Sequence, residues 1–313
     1  MTLTELRYLV ALAQHRHFGR AAESCFVSQP TLSVAIKKLE DELGVPLFER
    51  RKQEITLTAA GERIVEQAQR VLEEAAAIKE LAKDGRDQLS GPLRLGAIYT
   101  IGPYLFPHLI PVLHERAPHM PLVIEENYTA RLSERLRQGE LDAILIALPF
   151  QEPGMVVLPL YDEPFVVVLP SSHPWTVRET IPAGELSQES LLMLGSGHCF
   201  RSQVLDACPG CAQRLDTQSL AQTVEGTSLE TLRHMVASGM GVTVLPVTAA
   251  GADRYAQRLL ATRRFAEPEP QRRVALAWRT SFPRPAAIEA LRQAILDSGL
   301  SGIRPVPQRR ARQ

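Results

Sequence analysis

The sequence lacks the features of a membrane or exported protein. No apolar run approaches the roughly 18 residues that a transmembrane helix needs, and Met1 to Leu12 has no basic, apolar and small-residue succession of a signal peptide. We therefore expect a cytoplasmic protein with no membrane partner. Its four cysteines are not a disulfide framework in that compartment, so a metal site or redox chemistry is the more informative expectation.

The sequence also lacks an excess of charge of either sign. Lys and Arg total 35, and so do Asp and Glu, giving a formal net charge of zero. Residues 1–60 carry eight basic against seven acidic side chains. Any binding of DNA must therefore depend on where the cations sit and on how many copies bind together. At 313 residues and 45% hydrophobic, the chain can form two or three compact domains.

A helix-turn-helix pattern lies between Phe18 and Arg51. The first helix is predicted from Gly19 to about Cys25. Ser28 is the expected N-cap of the second helix, because Pro30 follows in the first turn, where a missing N–H costs little. Four leucine and isoleucine residues recur at helical spacing and should bury one face, namely Leu32, Ile36, Leu39 and Leu43. Gly44 should end the helix, and a hairpin should follow.

The opposite face of the second helix has the composition of a DNA-reading surface. Small and polar side chains lie near its start, with cations further on: Gln29, Pro30, Thr31, Ser33, Val34, Lys37 and Lys38. Such a face fits a major groove. Arg50, Arg51 and Lys52 of the hairpin would lie over phosphates. The alternative is two helices of an ordinary helical domain with a solvated charged face.

The run AAxxxxxSQPTLSxxIKxLExxLGxxLFxRR, followed by TxAG at Thr58 to Gly61, resembles the DNA-binding domain of LysR-type transcriptional regulators. The resemblance implies a winged helix-turn-helix. It also assigns Gln29, Pro30, Thr31, Ser33 and Val34 to the groove, and Lys37, Arg50 and Arg51 to the phosphates or groove edge. RNA polymerase would be a further partner.

A long helix is predicted after the hairpin, capped by Thr58 and running from Ala59 to about Lys83. Apolar residues step through it by four and three, as in a coiled-coil seam: Ile64, Ala68, Val71, Ala75, Ile78 and Ala82. The alternative is a helix packed on its own chain. A two-fold dimer would present two recognition helices to two half-sites, which favours the seam.

Strand and helix patterns alternate from Leu93 onward, which predicts a parallel sheet with helices on its faces. The LysR resemblance implies two α/β lobes like those of periplasmic binding proteins, with effector chemistry at their junction. The full assignment is α+β and multidomain: DNA-binding domain 1–58, linker helix 59–84, hinge 85–92, regulatory domain 93–303 and tail 304–313. Lobe I covers about 93–164 and 268–303, and lobe II about 165–267.

The most reactive side chains lie in one stretch of the sequence, GSGHCFRSQVLDACPGCAQ, from Gly195 to Gln213. Its cysteines could be small core residues. Cys208 and Cys211, with Cys199 and His198, could instead ligate zinc, although the adjacent His–Cys pair suits one tetrahedron poorly. In a third interpretation Cys199 is a peroxide-reactive thiolate, and Cys208 resolves it to a disulfide. A free thiol near pKa 8.5 would then need a cation or hydrogen-bond donors beside it.

The motif GxGHCxRxQVLxAC resembles the sensor segment of the peroxide-responsive LysR-type regulators. The resemblance implies Cys199 as the sensor and Cys208 as the resolving cysteine, with Cys211 a departure that leaves the resolver open. It also implies that His198, Thr100, Thr129 and Arg272 surround the sulfur, although Arg273 is adjacent to Arg272 and Thr129 could simply cap a helix. Cys25 is interpreted as packing.

The combined expectation is a transcription activator that forms homodimers and homotetramers and responds to hydrogen peroxide without a cofactor or a metal. A glutaredoxin or glutathione reductant is implied by the resemblance. One alternative is a LysR-type regulator of a small-molecule effector bound between the lobes. Another is a thiol peroxidase, against which the DNA-binding pattern argues because an enzyme would not need it.

Overall fold

The computed structural model describes residues 1–51, 54–81, 88–211, 225–251 and 258–307. The chain divides into two compact units. The first comprises Met1–Gln88, Glu134–Leu141 and Arg279–Pro285, and the second comprises Leu89–Ser133, Asp142–Trp278 and Ala286–Gln313. Within the described residues, no helix combines the length and apolar character needed to cross a membrane. The domain bounds given above remain predictions.

The first unit contains the winged helix-turn-helix. Its elements are α1 (Leu3–His15), α2 (Phe18–Ser24), α3 (Gln29–Leu43), β1 (Phe48–Arg51), β2 (Glu54–Leu57) and α4 (Ala59–Leu81). Ser28 caps α3 by accepting from the Thr31 N–H at 3.3 Å, and Gly44 ends it with a φ of 69°. The Thr58 hydroxyl accepts from the Gly61 N–H at 2.9 Å, as predicted for the start of α4. The predicted motif is confirmed.

The core of the first unit is formed by the apolar faces that the sequence predicted. Leu32, Ile36 and Leu39 of α3 are buried against Ala21 and Ala22 of α2 and against leucines of α1. β1 and β2 pair antiparallel to form the wing. The predicted last residues of the linker helix, part of the hinge and the final six residues fall in 82–87 and 308–313, outside the described residues.

The second unit is built on one long mixed sheet. Its strands are β3 (Leu93–Ile98), β4 (Leu122–Asn127), β5 (Ala143–Ala147), β6 (Met155–Pro170), β7 (Thr180–Ile181), β8 (Leu191–Leu194), β9 (Glu225–Gly226), β10 (Val242–Pro246), β11 (Leu260–Phe265), β12 (Gln271–Arg279) and β13 (Arg304–Pro305). Its α-helices are α5 (Gly102–Arg116), α6 (Thr129–Arg137), α7 (Cys199–Ala207), α8 (Leu229–Ala237), α9 (Val247–Ala250) and α10 (Pro285–Leu296), although the last four residues of α6 and the first of α10 belong to the first unit. The main path of the sheet runs β4-β3-β5-β12-β6-β10-β8-β9.

The predicted parallel sheet is present only in part. β3 pairs parallel with β4 and β5, and β8 with β10, but β12 runs antiparallel to β5 and β6 antiparallel to β10. The reason is that β6 and β12 carry the chain between the two halves of the sheet. β6 spans 16 residues, from Met155 to Pro170, and continues through Pro164, near which the crossing was predicted. From the sequence, a strand was predicted only for the last six residues of β6.

Candidate functional site

The exposed face of α3 carries the residues predicted to read DNA. Gln29, Pro30, Thr31, Val34 and Lys37 are exposed, and Ser33 is half-buried. Val34 exposes 68% of its surface. Because α3 buries its opposite face in the core, this face is presented outward from a helix capped at both ends. Such a face can approach base edges closely.

The cations near this face differ in their partners. Lys38 donates to the Glu5 carboxylate at 3.0 Å, and this contact lowers the pKa of Glu5 and raises the pKa of Lys38. The Lys38 ammonium is therefore paired with a carboxylate of its own chain. In the wing, Arg50 and Arg51 lie on β1 opposite Ile55 and Glu54. Their side chains, and the whole of Lys52, lie outside what the structure describes.

The predicted seam of α4 divides into two parts. Ala68 is buried in the core of the first unit, and Ile64 packs on that core, so this half of α4 packs on its own chain, as the alternative interpretation held. Further along, Val71 exposes 36% and Ile78 67% of its surface, with Ala75 half-buried between them. The second half therefore presents apolar side chains to solvent.

Three of the four residues predicted to surround the sulfur, together with Cys199 itself, line one small cavity. It is lined by Ile98, Tyr99, Thr100, Asn127, Tyr128, Thr129, Gly197, His198 and Cys199. β3 ends just before Thr100, α6 begins at Thr129, and α7 begins at Cys199. The cavity is therefore formed where strand ends and helix starts meet, which is where ligands bind in open α/β sheets. A helix start also favours an anionic group such as a thiolate.

Arg272 stands behind this cavity and is fully buried. Its guanidinium donates to the Glu163 carboxylate, the Thr100 hydroxyl and the Thr100 carbonyl, each at 2.7 Å. It also lies 5.4 Å from the centre of the Phe200 ring. Arg273 instead points outward, pairs with Asp162 at 2.6 Å and is 46% exposed at its side chain. Of the two adjacent arginines, Arg272 is the one that faces the cavity wall.

His198 is buried, and its burial lowers its pKa below the usual value. Burial therefore disfavours the charged imidazolium, and hydrogen-bond donation is the predicted role that this environment favours. Its ring lies 4.8 Å from Tyr128 and 5.9 Å from Tyr99, and the two tyrosine rings are 5.3 Å apart. The three rings form an aromatic cluster at the cavity.

Thr129 does not cap α6. It is the first residue of that helix, and its buried hydroxyl has no hydrogen-bond partner among the described residues. A buried hydroxyl without a partner is costly, because it has lost its hydrogen bonds to water. A ligand in the cavity would supply the missing partner. The alternative reading of Thr129 as an N-cap is wrong.

The cysteines are in two states. Cys199 and Cys25 are free thiols, whereas Cys208 is joined to Cys211 by a disulfide with a Cα–Cα distance of 5.4 Å. Two of the four candidate zinc ligands are therefore bonded to each other. Among the described residues, no cluster of three or more metal-ligating side chains exists. The pairing differs from the implied Cys199–Cys208 linkage.

Two elements of the site were not found from the sequence. Glu163, which holds Arg272, lies in an unremarkable YDEP stretch, and only the pairing of β6 beside β12 places it there. The aromatic pair of Tyr99 and Tyr128 was also missed. Each tyrosine directly precedes a predicted peroxide-binding threonine, and this repeated Tyr-Thr dipeptide was the available signal.

Comparisons with known proteins agree with this arrangement. The family model for the bacterial regulatory helix-turn-helix protein, lysR family, matches residues 3–62, and that for the LysR substrate binding domain matches residues 86–299. The DNA-binding transcriptional dual regulator OxyR of Escherichia coli K12 is 44% identical over 295 residues, covering 94% of this chain and 95% of that protein.

Solved structures give the same result. A full-length cysteine-to-aspartate variant of OxyR from Pseudomonas aeruginosa is 58% identical, with a TM-score of 0.85 and 99% of both chains covered. An H₂O₂-bound cysteine-to-serine variant of OxyR from Corynebacterium glutamicum is 34% identical, with a TM-score of 0.62, and covers 95% of this chain and 92% of that one. The chain belongs to the LysR family of helix-turn-helix transcription regulators, which are not enzymes, and within it to the OxyR group.

Proposed function

We propose that this regulator senses hydrogen peroxide at Cys199 and, once oxidised, activates genes for defence against peroxide. The observation that carries the proposal is the cavity in which Cys199, His198, Thr100 and Thr129 meet. The likeness to an H₂O₂-bound OxyR supports the choice of ligand. The cavity suits a small polar molecule, because the buried Thr129 hydroxyl has no hydrogen-bond partner in the part of the chain that the structure describes.

The hydroxyls fit peroxide because each has a free donor. Thr100 Oγ1 accepts a hydrogen bond from Arg272, which leaves its own proton available. Thr129 Oγ1 can both donate and accept. The Cys199 thiolate attacks one peroxide oxygen, the O–O bond breaks, and the leaving hydroxide takes a proton to become water. The product is a sulfenic acid at Cys199.

The reaction of Cys208 with this sulfenic acid would drive the conformational switch. Cys199 begins α7 and Cys208 follows its last residue, so the two are about 14 Å apart along the helix at about 1.5 Å per residue. A disulfide needs Cα atoms within roughly 7 Å, and α7 must therefore unwind. Closing this loop is worth about 3 kcal/mol on the chain-entropy model, enough to shift two packings about a hundredfold.

The output would be a change in how DNA is bound. The groove residues of α3, with Arg50 and Arg51 on phosphates, would read two half-sites in a dimer held by the exposed part of α4 around Val71 and Ile78. Unwinding α7 would change how regulatory domains pair in a tetramer, and hence the spacing of the DNA-binding dimers. RNA polymerase would be recruited by the oxidised form. A glutaredoxin- or glutathione-type thiol would reset it.

The test is a brief micromolar peroxide pulse on the full-length protein, followed by thiol alkylation, mass mapping and transcription in vitro. Wild type should lose the Cys199 thiol and activate transcription. Cys199→Ser should do neither, whereas the matched control Cys25→Ser, which removes the free thiol of the DNA-binding domain, should behave as wild type. A peroxide response that survives in Cys199→Ser would overturn the proposal and favour an effector bound between the lobes.

A further inference from the structure

The disulfide between Cys208 and Cys211 forms a second redox pair beside the proposed sensor. Both cysteines are in the apolar core of the second unit, with Cys208 fully buried and Cys211 5% exposed. Cys208 ends α7 by donating its N–H to Val204 at 3.1 Å and Leu205 at 3.2 Å. Cys211 is held close because its N–H donates to the Cys208 carbonyl at 2.9 Å.

The two possible linkages of Cys208 make opposite demands on α7. A bond to Cys211 spans a Cα–Cα distance of 5.4 Å and leaves the helix intact. A bond to Cys199 requires the helix to unwind, as argued above. Unwinding removes Phe200 and Val204 from the core, where both are almost fully buried and where Phe200 packs edge-on against Phe165 at 5.0 Å. Packing therefore favours the Cys208–Cys211 linkage.

We propose that Cys211 is an exchange cysteine that ends the oxidised state of the sensor. The proposal rests on the function assigned to Cys199 above. Starting from three thiols, peroxide and Cys208 convert Cys199 to the Cys199–Cys208 disulfide. The Cys211 thiolate then attacks the Cys208 sulfur, the Cys199–Cys208 bond breaks, and Cys199 leaves as a thiolate. One H₂O₂ and two thiols give one disulfide and two waters.

The exchange has a consequence for signalling. Cys199 returns to its reduced form and α7 can rewind, although the protein keeps the two-electron oxidation at Cys208–Cys211. A second peroxide would then produce a sulfenic acid at Cys199 with no free Cys208 to resolve it. The conformational signal from one oxidation would thus be transient without any external reductant.

The exchange is tested by a time course of mass mapping on fully reduced, full-length protein after one equivalent of peroxide. In wild type, Cys199–Cys208 should appear first and give way to Cys208–Cys211 as the Cys199 thiol returns. In Cys211→Ser the Cys199–Cys208 linkage should persist, with complete loss of the second phase. Cys211→Ala repeats the test without burying a hydroxyl, should the serine variant fail to fold.

Two results would overturn the exchange while leaving the sensor proposal standing. One is a Cys199–Cys208 linkage that lasts as long in wild type as in Cys211→Ser. The other is Cys208–Cys211 formation as fast in Cys199→Ser as in wild type, which would mean direct oxidation of that pair. If Cys199 stays reduced even in Cys211→Ser, both the sensor function and the exchange fail.

Discussion

Two helices that begin at functional residues, α3 and α7, are built very differently. α3 has 15 residues, a serine N-cap bonded to its first turn and a glycine cap in the left-handed region. α7 has nine residues, and its N-cap His198 makes no side-chain capping bond. Helices of this length depend on tertiary packing for their stability. The difference indicates that α3 is supported by its own caps, whereas α7 depends mainly on the packing of Phe200 and Val204 in the core.

The largest effect should come from removing the buried ion pair beneath α7. In Glu163→Ala, Arg272 keeps its charge with no carboxylate, because both side chains are fully buried. We expect the free energy of unfolding of the regulatory region to fall by about 3–5 kcal/mol. Urea unfolding followed by the fluorescence of Trp175 and Trp278 would measure it.

A matched control lies one residue away. Asp162→Ala breaks the neighbouring pair with Arg273, whose side chain is 46% exposed. Surface pairs of this kind contribute about 0–1 kcal/mol, so the loss should be small. Equal losses in Asp162→Ala and Glu163→Ala would refute the claim that burial distinguishes the two pairs.

The next effect concerns the stability of α3. Ser28→Ala removes the side chain that accepts from the Thr31 N–H. Loss of such a cap costs about 1 kcal/mol, which should appear as faster amide hydrogen exchange in α3 and weaker DNA binding. Ser24→Ala, which removes a hydroxyl at the end of α2 that donates to the Ala21 carbonyl, is the control. No change in α3 exchange in Ser28→Ala would contradict its role as the cap.

A smaller effect should come from tuning α7 at an exposed position. Ser202 lies on its solvent side. Alanine there favours the helix by about 0.5 kcal/mol and should slow the formation of the Cys199–Cys208 disulfide about twofold, whereas glycine should accelerate it by a similar factor. The rate is measured by alkylation and mass mapping after peroxide. Rates that do not follow helix propensity would argue against unwinding as the limiting step.

The smallest effect is a pH dependence at His198. Its pKa is lowered in the folded state by burial, so the unfolded chain binds the proton more readily. Stability should be complete above the unfolded pKa of about 6.5 and should fall as the pH drops through that value. The midpoint of unfolding should decrease between pH 7.5 and pH 5.5 in wild type. This decrease should be smaller in His198→Gln. His108→Gln, at an exposed histidine, should match wild type.

The sequence was most informative where structure is local. The elements of the DNA-binding domain follow from caps and spacing within a few residues, such as Ser28, Gly44 and Thr58. The alternation of helices and strands in the regulatory region was predicted for the same reason, but α7 and α9 were not predicted as helices. The two-residue strands and the first half of β6 were not, because short or polar segments form strands only when neighbours pair with them.

The site was predicted only in part, because its geometry depends on distant segments. Cys199 and His198 were found in one motif, and resemblance supplied Thr100, Thr129 and Arg272. The Glu163 partner and the outward direction of Arg273 depend on the register of long-range strand pairs, which composition cannot give. Nor could the CxxC spacing show that Cys208 bonds Cys211 while Cys199 stays free.

Unwinding of α7 on oxidation is tested most directly by hydrogen exchange of its amides, Phe200 to Ala207, in full-length Cys211→Ser before and after a peroxide pulse. Because Cys211 is replaced in this variant, Cys208 can form its disulfide with Cys199 but not with Cys211. These amides should be protected in the reduced protein and should lose protection when Cys199 and Cys208 join, with no change when Cys199 is also replaced by serine. Protection that persists after the disulfide has formed would contradict it.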